Sequence, residues 1–495
     1  MHAHLRGAVA RWPTLDTLWL LALPACLMIL LDRQAITPND FWWHLRTGQI
    51  IVNTRTIPTT DLFSFTRPGA PWANQAWLMQ VWLYLVYAAG GPALSLLAHS
   101  LIVTAGYTIA MASAARHYGT RAAAIAAFTA AALGLLNWNV RPQGFSFLAF
   151  GLLVALVESH RHGSRSALWA APPLFALWSN CHGAFIFGMA YLGLYAIGQT
   201  WDGRRFRASG QSNPAGLAQL WAVAGLSLAA LSLNPLGPMG TLRYVLGFAR
   251  SRVTVEQNLE FAPLSVRQPD GMLLALAVLA LLVVLFRTAF HPATDQWLAL
   301  ALFTLAGAWA RRNLPWCGFV LMPVLAGAVA QAWPARRAAR PGVAAANWAL
   351  ALAMLALVLV TLPSLRPLFP PNVVLPPMLT NTPQGAVDYM CRNLPANARV
   401  FEDQAFASYQ IWACPRLKVF VDTRIELYPW QQWQDYLAIS GARYDWESLL
   451  ASYGLSYLCI STKDADLLVR AATTSGRYTV AYRDDTATVL APVRP

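Results

Sequence analysis

The sequence predicts an α-helical polytopic membrane protein that ends in a small α/β domain, and three observations carry the prediction. Hydrophobic residues make up 57% of the chain and charged ones only 12%, whereas a soluble chain carries about twice that charge. The apolar residues gather in eleven runs, near 15–32, 93–113, 121–137, 143–158, 167–180, 183–200, 215–233, 271–287, 295–310, 314–332 and 343–362, and a span needs about 20 mainly apolar residues. After a Pro-rich stretch at 363–379, the composition becomes that of soluble protein.

The formal charge of +14 is almost all Arg. Binding nucleic acid would require those Arg on one folded basic face; here they stand in short clusters between apolar runs, so no nucleic-acid partner is expected. The first run, Leu15 to Leu31, follows Arg6 and Arg11 like a signal peptide, and "LPAC" at 23–26 resembles a lipoprotein cleavage site. Pro24 fits that site poorly and the apolar run continues past Cys26, so the run reads as an uncleaved first span. The stretch 76–91, "AWLMQVWLYLVYAAGG", is apolar but short. If it lies along the surface, anchored by Trp72, Trp77 and Trp82, the loops at 115–121, 158–166, 202–207 and 335–340 share the side of the N-terminus and together hold ten Arg. That is the bias expected of cytoplasmic connections. The expectation is therefore a cytoplasmic N-terminus in the inner membrane and an outer C-terminus. A transmembrane domain spans 1–362 with a first outer loop at 33–92, the linker is 363–379, and a periplasmic domain covers 380–495.

In the tail, "TPQGAVDYMCRNLP" and "PWQQWQDYLAIS" read as helices, and "ARVFED", "LKVFVDTR", "LSYLCIS" and "YTVAYRDDTATVLAP" as strands, an alternation typical of a small α/β domain. The six cysteines show no metal spacing. Cys26, Cys181 and Cys317 fit as packing residues, while Cys391 and Cys414 lie outside the cytoplasm in this reading, where a disulfide between them is an open alternative.

Most polar candidates fall on the outer rim. In "TPNDFWWHLRTGQ" (37–49), Asp40 and His44 are four apart and share a helix face if the stretch is helical; a carboxylate beside an imidazole can act as general base toward a hydroxyl. The competing reading is a surface helix with Trp42 and Trp43 among headgroups. Asp61 is either a second acid or metal ligand, or a turn residue. Arg141, Arg311 and Arg312 end spans on the outside, against the positive-inside bias, where guanidinium can hold a phosphate or reach to lipid headgroups. Gln143, Asn180, His182, Glu256 and Glu260 complete the substrate-binding candidates, with capping and solvated helix faces as their alternatives. The spans are nearly free of ionisable groups, His99 being the clearest exception, whereas coupled carriers keep such groups near mid-membrane.

The architecture resembles the GT-C integral-membrane glycosyltransferases: a first span, a long outer loop opening with an acid, about eleven spans and an outer α/β domain. More locally, "NDFWWHLRTGQIIVNTRTIPTTDLFSFT", "RPQGFSF", "LWSNCHGAFIFG", "LNPLG" and "KVFVDTRIELY" resemble a broad group of bacterial membrane proteins placed near that superfamily. The resemblance implies transfer of a sugar from a polyprenyl-phosphate or diphosphate carrier to a glycan, lipid or protein acceptor at the outer face; direct displacement with one base would invert the anomeric centre. Asp40 matches the early acid that serves as base or positions the acceptor, and Arg141, Arg311 and Arg312 would hold the donor phosphate. The related pattern often has two acids where this chain has Asn39 and Asp40, which argues against a two-acid metal site while leaving a divalent cation open. The alternatives are an O-antigen-type polymerase or ligase, a non-catalytic subunit of an envelope-assembly complex, and a transporter with a polar cavity around His99.

Overall fold

The computed structural model describes residues 13–207, 214–250, 256, 259–334, 344–368, 376–463 and 466–493. In chain order its elements are α1 (Leu15–Asp32), α2 (Phe41–Thr54), α3 (Trp77–Tyr118), α4 (Thr120–Gly134), α5 (Gln143–Arg161), α6 (Ala171–Trp178), α7 (Phe185–Arg207), α8 (Pro214–Ala230), α9 (Gly237–Arg250), α10 (Pro269–Arg287), α11 (Thr294–Trp309), α12 (Leu314–Ala332), α13 (Ala344–Thr361), α14 (Gln384–Asn393), β1 (Val400–Glu402), α15 (Gln404–Ala413), α16 (Trp430–Ser440), α17 (Trp446–Tyr453), β2 (Tyr457–Ser461), α18 (Asp466–Thr474), β3 (Tyr478–Arg483) and β4 (Ala487–Pro492). Every apolar run is helical where it is described, and among the described residues seven helices are long and apolar enough to cross a membrane. Among the shorter ones, α6 has 8 residues, about 12 Å of rise, well short of a bilayer core. The stretch 76–91 forms the start of α3, which breaks at Gly90 and Gly91 before Pro92; Gly91 takes φ 59°, a conformation that suits a residue without Cβ. The Arg-rich loop at 335–340 and much of the Pro-rich linker lie outside the described residues.

The chain forms two compact units. One comprises Met1–Gln34, Ala93–Thr241 and Leu259–Pro376; the other comprises Ala35–Pro92, Leu242–Asn258 and Pro377–Pro495. The first unit is built of helices packed through small residues, as membrane helices are when packing rather than hydrophobicity must hold them together. Ala123, Ala124, Ala127 and Ala130 of α4 are fully buried, and α12 comes so close that a Cβ on Gly318 would stand 2.7 Å from the Ala130 carbonyl oxygen. α3 and α5 cross just as tightly, at Gly106 and Gly151. Aromatic rings fill the space alongside: Tyr107 stacks on Phe319 with centroids 4.5 Å apart, and Phe150 on Trp316 at 5.4 Å. At one end Arg161 of α5 pairs with Glu158 at 3.1 Å and with Asp295 of α11. His99 is packed rather than set in an open polar space: Nε2 bonds the Trp138 carbonyl at 2.9 Å, and Gly144 leaves no room for a Cβ against the ring.

The second unit holds a four-stranded sheet in the order β1-β2-β4-β3, with β1 and β2 parallel and the remaining pairs antiparallel. Strand alternation places Phe401, Leu458, Ile460 and Leu490 in one core and Val400, Cys459, Ala487 and Val489 in another. The mixed topology confirms the α/β reading of the tail, with one correction. "LKVFVDTR" is not a strand of the sheet; it is extended chain whose Val419 bridges Ser64, because residues 63–66 take its backbone hydrogen bonds. Trp43, Phe63 and Trp72 also enter the first core. Cys391 and Cys414 form a disulfide with Cα atoms 5.7 Å apart.

Candidate functional site

The stretch 37–49 is helical from Phe41, with Asp40 at the N-cap position. Its apolar ring faces make α2 a buried helix: Phe41, Trp42, Trp43 and Leu45 are all buried, and Trp42 meets Tyr409 of α15 edge to face at 4.9 Å. The tryptophans are therefore packed in protein rather than spread along a surface. Gly48 permits the closest approach, since a Cβ there would lie 2.0 Å from the Gln80 carbonyl oxygen.

Asp40 stands half-buried at the head of this helix. The Trp43 indole N–H donates to Asp40 Oδ1 at 3.4 Å and to the Thr423 hydroxyl at 3.0 Å, which ties the carboxylate to the turn that follows "KVFVDT". Ser408 braces the same corner, donating its hydroxyl to the Asn39 carbonyl and accepting from the Trp43 amide at 3.3 Å. His44 points elsewhere: its Nδ1 meets the Gln80 side-chain amide at 3.1 Å, and that amide also donates to Asn74 at 2.7 Å. Glu426 lies close enough to Asp40 to feel its charge. It is solvent-accessible yet closely surrounded by protein, and the resulting desolvation, with repulsion from Asp422 and Asp40 added, raises its carboxyl to about 7. No sequence-derived role had been given to Glu426, although it lies in the quoted "KVFVDTRIELY" segment; an acid in a distant segment carries no local sign that it will fold beside Asp40.

Asp61 is buried and fully engaged. It accepts from the Phe63 and Ser64 amides and the Ser64 hydroxyl, the pattern of an Asx turn, and pairs with Arg424 at 2.6 Å. Arg424 also pairs with Asp422 at 2.6 Å, and its guanidinium lies 4.8 Å from both the Phe63 and Trp72 ring centres. Tyr428 donates to Asp422 at 2.8 Å. All three charged side chains are shut off from solvent.

In the other unit, the three arginines gather around a single segment. Arg141 pairs with Glu260 at 2.6 Å, Arg312 covers the Phe261 ring at 4.5 Å, and Arg311 pairs with Asp270 at 3.1 Å. Asn137 donates to the Arg311 carbonyl at 3.4 Å, linking the two span ends. Arg141 and Arg311 keep part of their side chains in solvent, 16% and 29% respectively. Glu256 is exposed. Gln143 is buried at the start of α5. Asn180 donates to the Ala176 and Leu233 carbonyls at 2.8 and 3.0 Å, closing the end of α6. At His182, Nδ1 accepts from the Ala184 amide at 3.3 Å. Ser146 accepts from the Trp178 indole at 2.8 Å and so turns its own hydroxyl proton to Nδ1 at 2.9 Å, which leaves the imidazole proton on Nε2. Among the described residues no three His, Cys, Asp or Glu side chains gather as a metal-binding group.

No family model matches the chain, and no curated protein matches it in sequence. Solved structures do match in fold. ArnT from Cupriavidus metallidurans, bound to undecaprenyl phosphate, superposes with a TM-score of 0.52 at 14% identity, over 96% of this chain and 98% of that one. The archaeal oligosaccharyltransferase AglB from Archaeoglobus fulgidus, in complex with an inhibitory peptide and a dolichol-phosphate, gives 0.56 at 12% identity, over 96% of this chain and 74% of that one. These comparisons and the apolar helices define a multi-pass membrane protein. Its fold is shared with these two structures over nearly the whole chain.

Proposed function

We propose that the protein is a glycosyltransferase that moves a sugar from a polyprenyl-phosphate or diphosphate carrier to an acceptor at the outer face of the inner membrane. The observation that carries this reading is the fold shared end to end with a protein bound to undecaprenyl phosphate, joined to the gathering of Arg141, Arg311 and Arg312 around residues 260–270. The arginine-rich loops on the side of the N-terminus support a cytoplasmic N-terminus, and the Cys391–Cys414 disulfide supports an oxidising, extracytoplasmic setting for the tail.

In this mechanism Asp40 takes the proton from the acceptor hydroxyl as its oxygen bonds to the sugar's anomeric carbon. The bond from that carbon to the carrier phosphate breaks with inversion, and the lipid leaves as its phosphate. Arg141, Arg311 and Arg312 neutralise the charge that develops on the leaving phosphate; to do so Arg141 exchanges Glu260 for the donor. The Trp43 indole and Thr423 fix where Asp40 stands. His44, bonded to Gln80, holds α2 in place behind it. A divalent cation, if the reaction takes one, would have Asp40, Glu426 and the donor's own phosphate oxygens to bind.

The test is turnover of purified protein with a panel of polyprenyl-phosphate and diphosphate sugars, wild type beside Asp40→Asn. Loss of transfer by about 100-fold or more, the scale of general-base catalysis, with the fold intact, is expected. Transfer by Asp40→Asn at the wild-type rate would remove Asp40 as base, and failure of every donor to bind would remove the reading.

A further inference from the structure

Arg46 and Ile50, one turn apart on α2, line a cleft of about 210 Å³ together with Leu62, Phe63, Ile411, Leu417 and Lys418. Its walls mix polar and apolar groups: Leu62 is exposed and Ile50 partly so, while Phe63, Ile411 and Leu417 behind them are buried core residues. Its two charged side chains are both cations, and neither is paired with a carboxylate among the described residues. Arg46 bonds only the Gln49 side-chain oxygen, and Lys418 only the Leu62 carbonyl at 2.7 Å. Elsewhere in this unit a buried guanidinium is matched by two carboxylates, at Arg424. Arg46 is half-buried without any.

A partly desolvated cation that lacks a counter-charge gains more from an incoming anion than a solvated one does. Guanidinium offers paired N–H groups matched to phosphate oxygens, and ammonium adds a compact second charge. Ile50 and Leu62 in the lining take the first carbons of a hydrocarbon substituent at the same time.

We propose that the Arg46–Lys418 cleft is a binding site for an amphiphilic phosphate, a phosphate group carried on an aliphatic body. Phosphate of this kind comes from an anionic phospholipid or from a soluble organic phosphate, and either would seat its charge between the two cations and its carbons against Leu62 and Ile50. The site is separate from the proposed sugar transfer, and its probes carry no sugar.

The experiment is calorimetric titration of the full chain, purified in a neutral detergent, with dihexanoyl phosphatidylglycerol, glycerol phosphate and uncharged dihexanoylglycerol. Wild type is set beside Arg46→Gln, Lys418→Gln and the double variant. The expected result is binding of a phosphate probe that weakens with added salt and falls about tenfold or more for each cation removed. Binding of phosphatidylglycerol alone assigns the site to lipid, and comparable binding of glycerol phosphate assigns it to a soluble phosphate. Lys418 is exposed, so its variant reports on binding without disturbing the core. The proposal is overturned if no phosphate probe binds, if the double variant binds like wild type, or if uncharged dihexanoylglycerol binds as well as phosphatidylglycerol.

Discussion

Two ionic clusters, one in each unit, use the same residue types in opposite ways. Around Arg424, two carboxylates and one guanidinium are sealed from solvent, the guanidinium beside Phe63 and Trp72 and the carboxylates hydrogen-bonded by backbone amides and Tyr428. Around Arg141 and Arg311, each guanidinium pairs with an acidic side chain and keeps part of its surface in solvent. A sealed cluster has no route by which a substrate could displace its partners, so it fixes structure. An open one can trade a carboxylate for a phosphate, so it can bind. Charge alone does not separate the two; solvent access does.

The sharpest way to break the comparison is Arg424→Met. It leaves Asp61 and Asp422 facing each other without a counter-charge, and removing one partner of a buried pair costs about 3–5 kcal/mol. A large drop in thermal stability of the purified protein is expected, and a melt like that of wild type would show that the cluster is not structural. Next comes the disulfide. Replacing Cys391 and Cys414 with Ser removes a link across 23 residues and should cost about 2–4 kcal/mol, readable as reduction-sensitive melting of wild type that the double variant lacks.

For the open cluster the expectation is reversed. Arg141→Ala should leave the melt nearly unchanged and weaken donor binding by about 10–100-fold, the worth of a hydrogen bond to a charged group; unchanged donor affinity would end its assignment to phosphate. The smallest effect concerns Glu402, which is buried, with Oε1 accepting from the Phe420 amide and Oε2 lacking a partner. Burial raises its carboxyl well above the ordinary 4.5. The unfolded chain therefore loses this proton first as pH rises, and the folded state is progressively disfavoured from about that pH upward to the folded pKa. Glu402→Gln should flatten this decline, with stability near wild type at acidic pH and above it by up to about 1 kcal/mol in mildly alkaline buffer. A decline equally steep in the variant would place the titration elsewhere.

The placing of Asp40, His44 and Arg46 beside two tryptophans has a structural reason that the sequence held only in part. The i to i+4 spacing put Asp40 and His44 on one helical face, and the helix is there. Which partner each would meet was not legible: Asp40 shares the Trp43 indole with Thr423, His44 meets Gln80, and Arg46 lines a cleft with Lys418. Likewise the turn reading of Asp61 was available from "TTDLFS", but its ion pair with Arg424, 363 residues away, was not.

By itself the sequence determined what depends on local composition and period. Eleven apolar runs became helices, the tail became an α/β domain through strand alternation, and "PTTDLFS" became a turn, because helix and strand propensity act over a few residues. Only the tertiary structure decided what depends on contact between distant segments. It placed "KVFVDTR" against residues 63–66 instead of in the sheet, sealed Arg424 while leaving Arg141 open, and set Glu426 near Asp40. Burial and counter-charge, which decide whether an ionisable group holds the fold or meets a ligand, are properties of that packing and have no period to read along the chain.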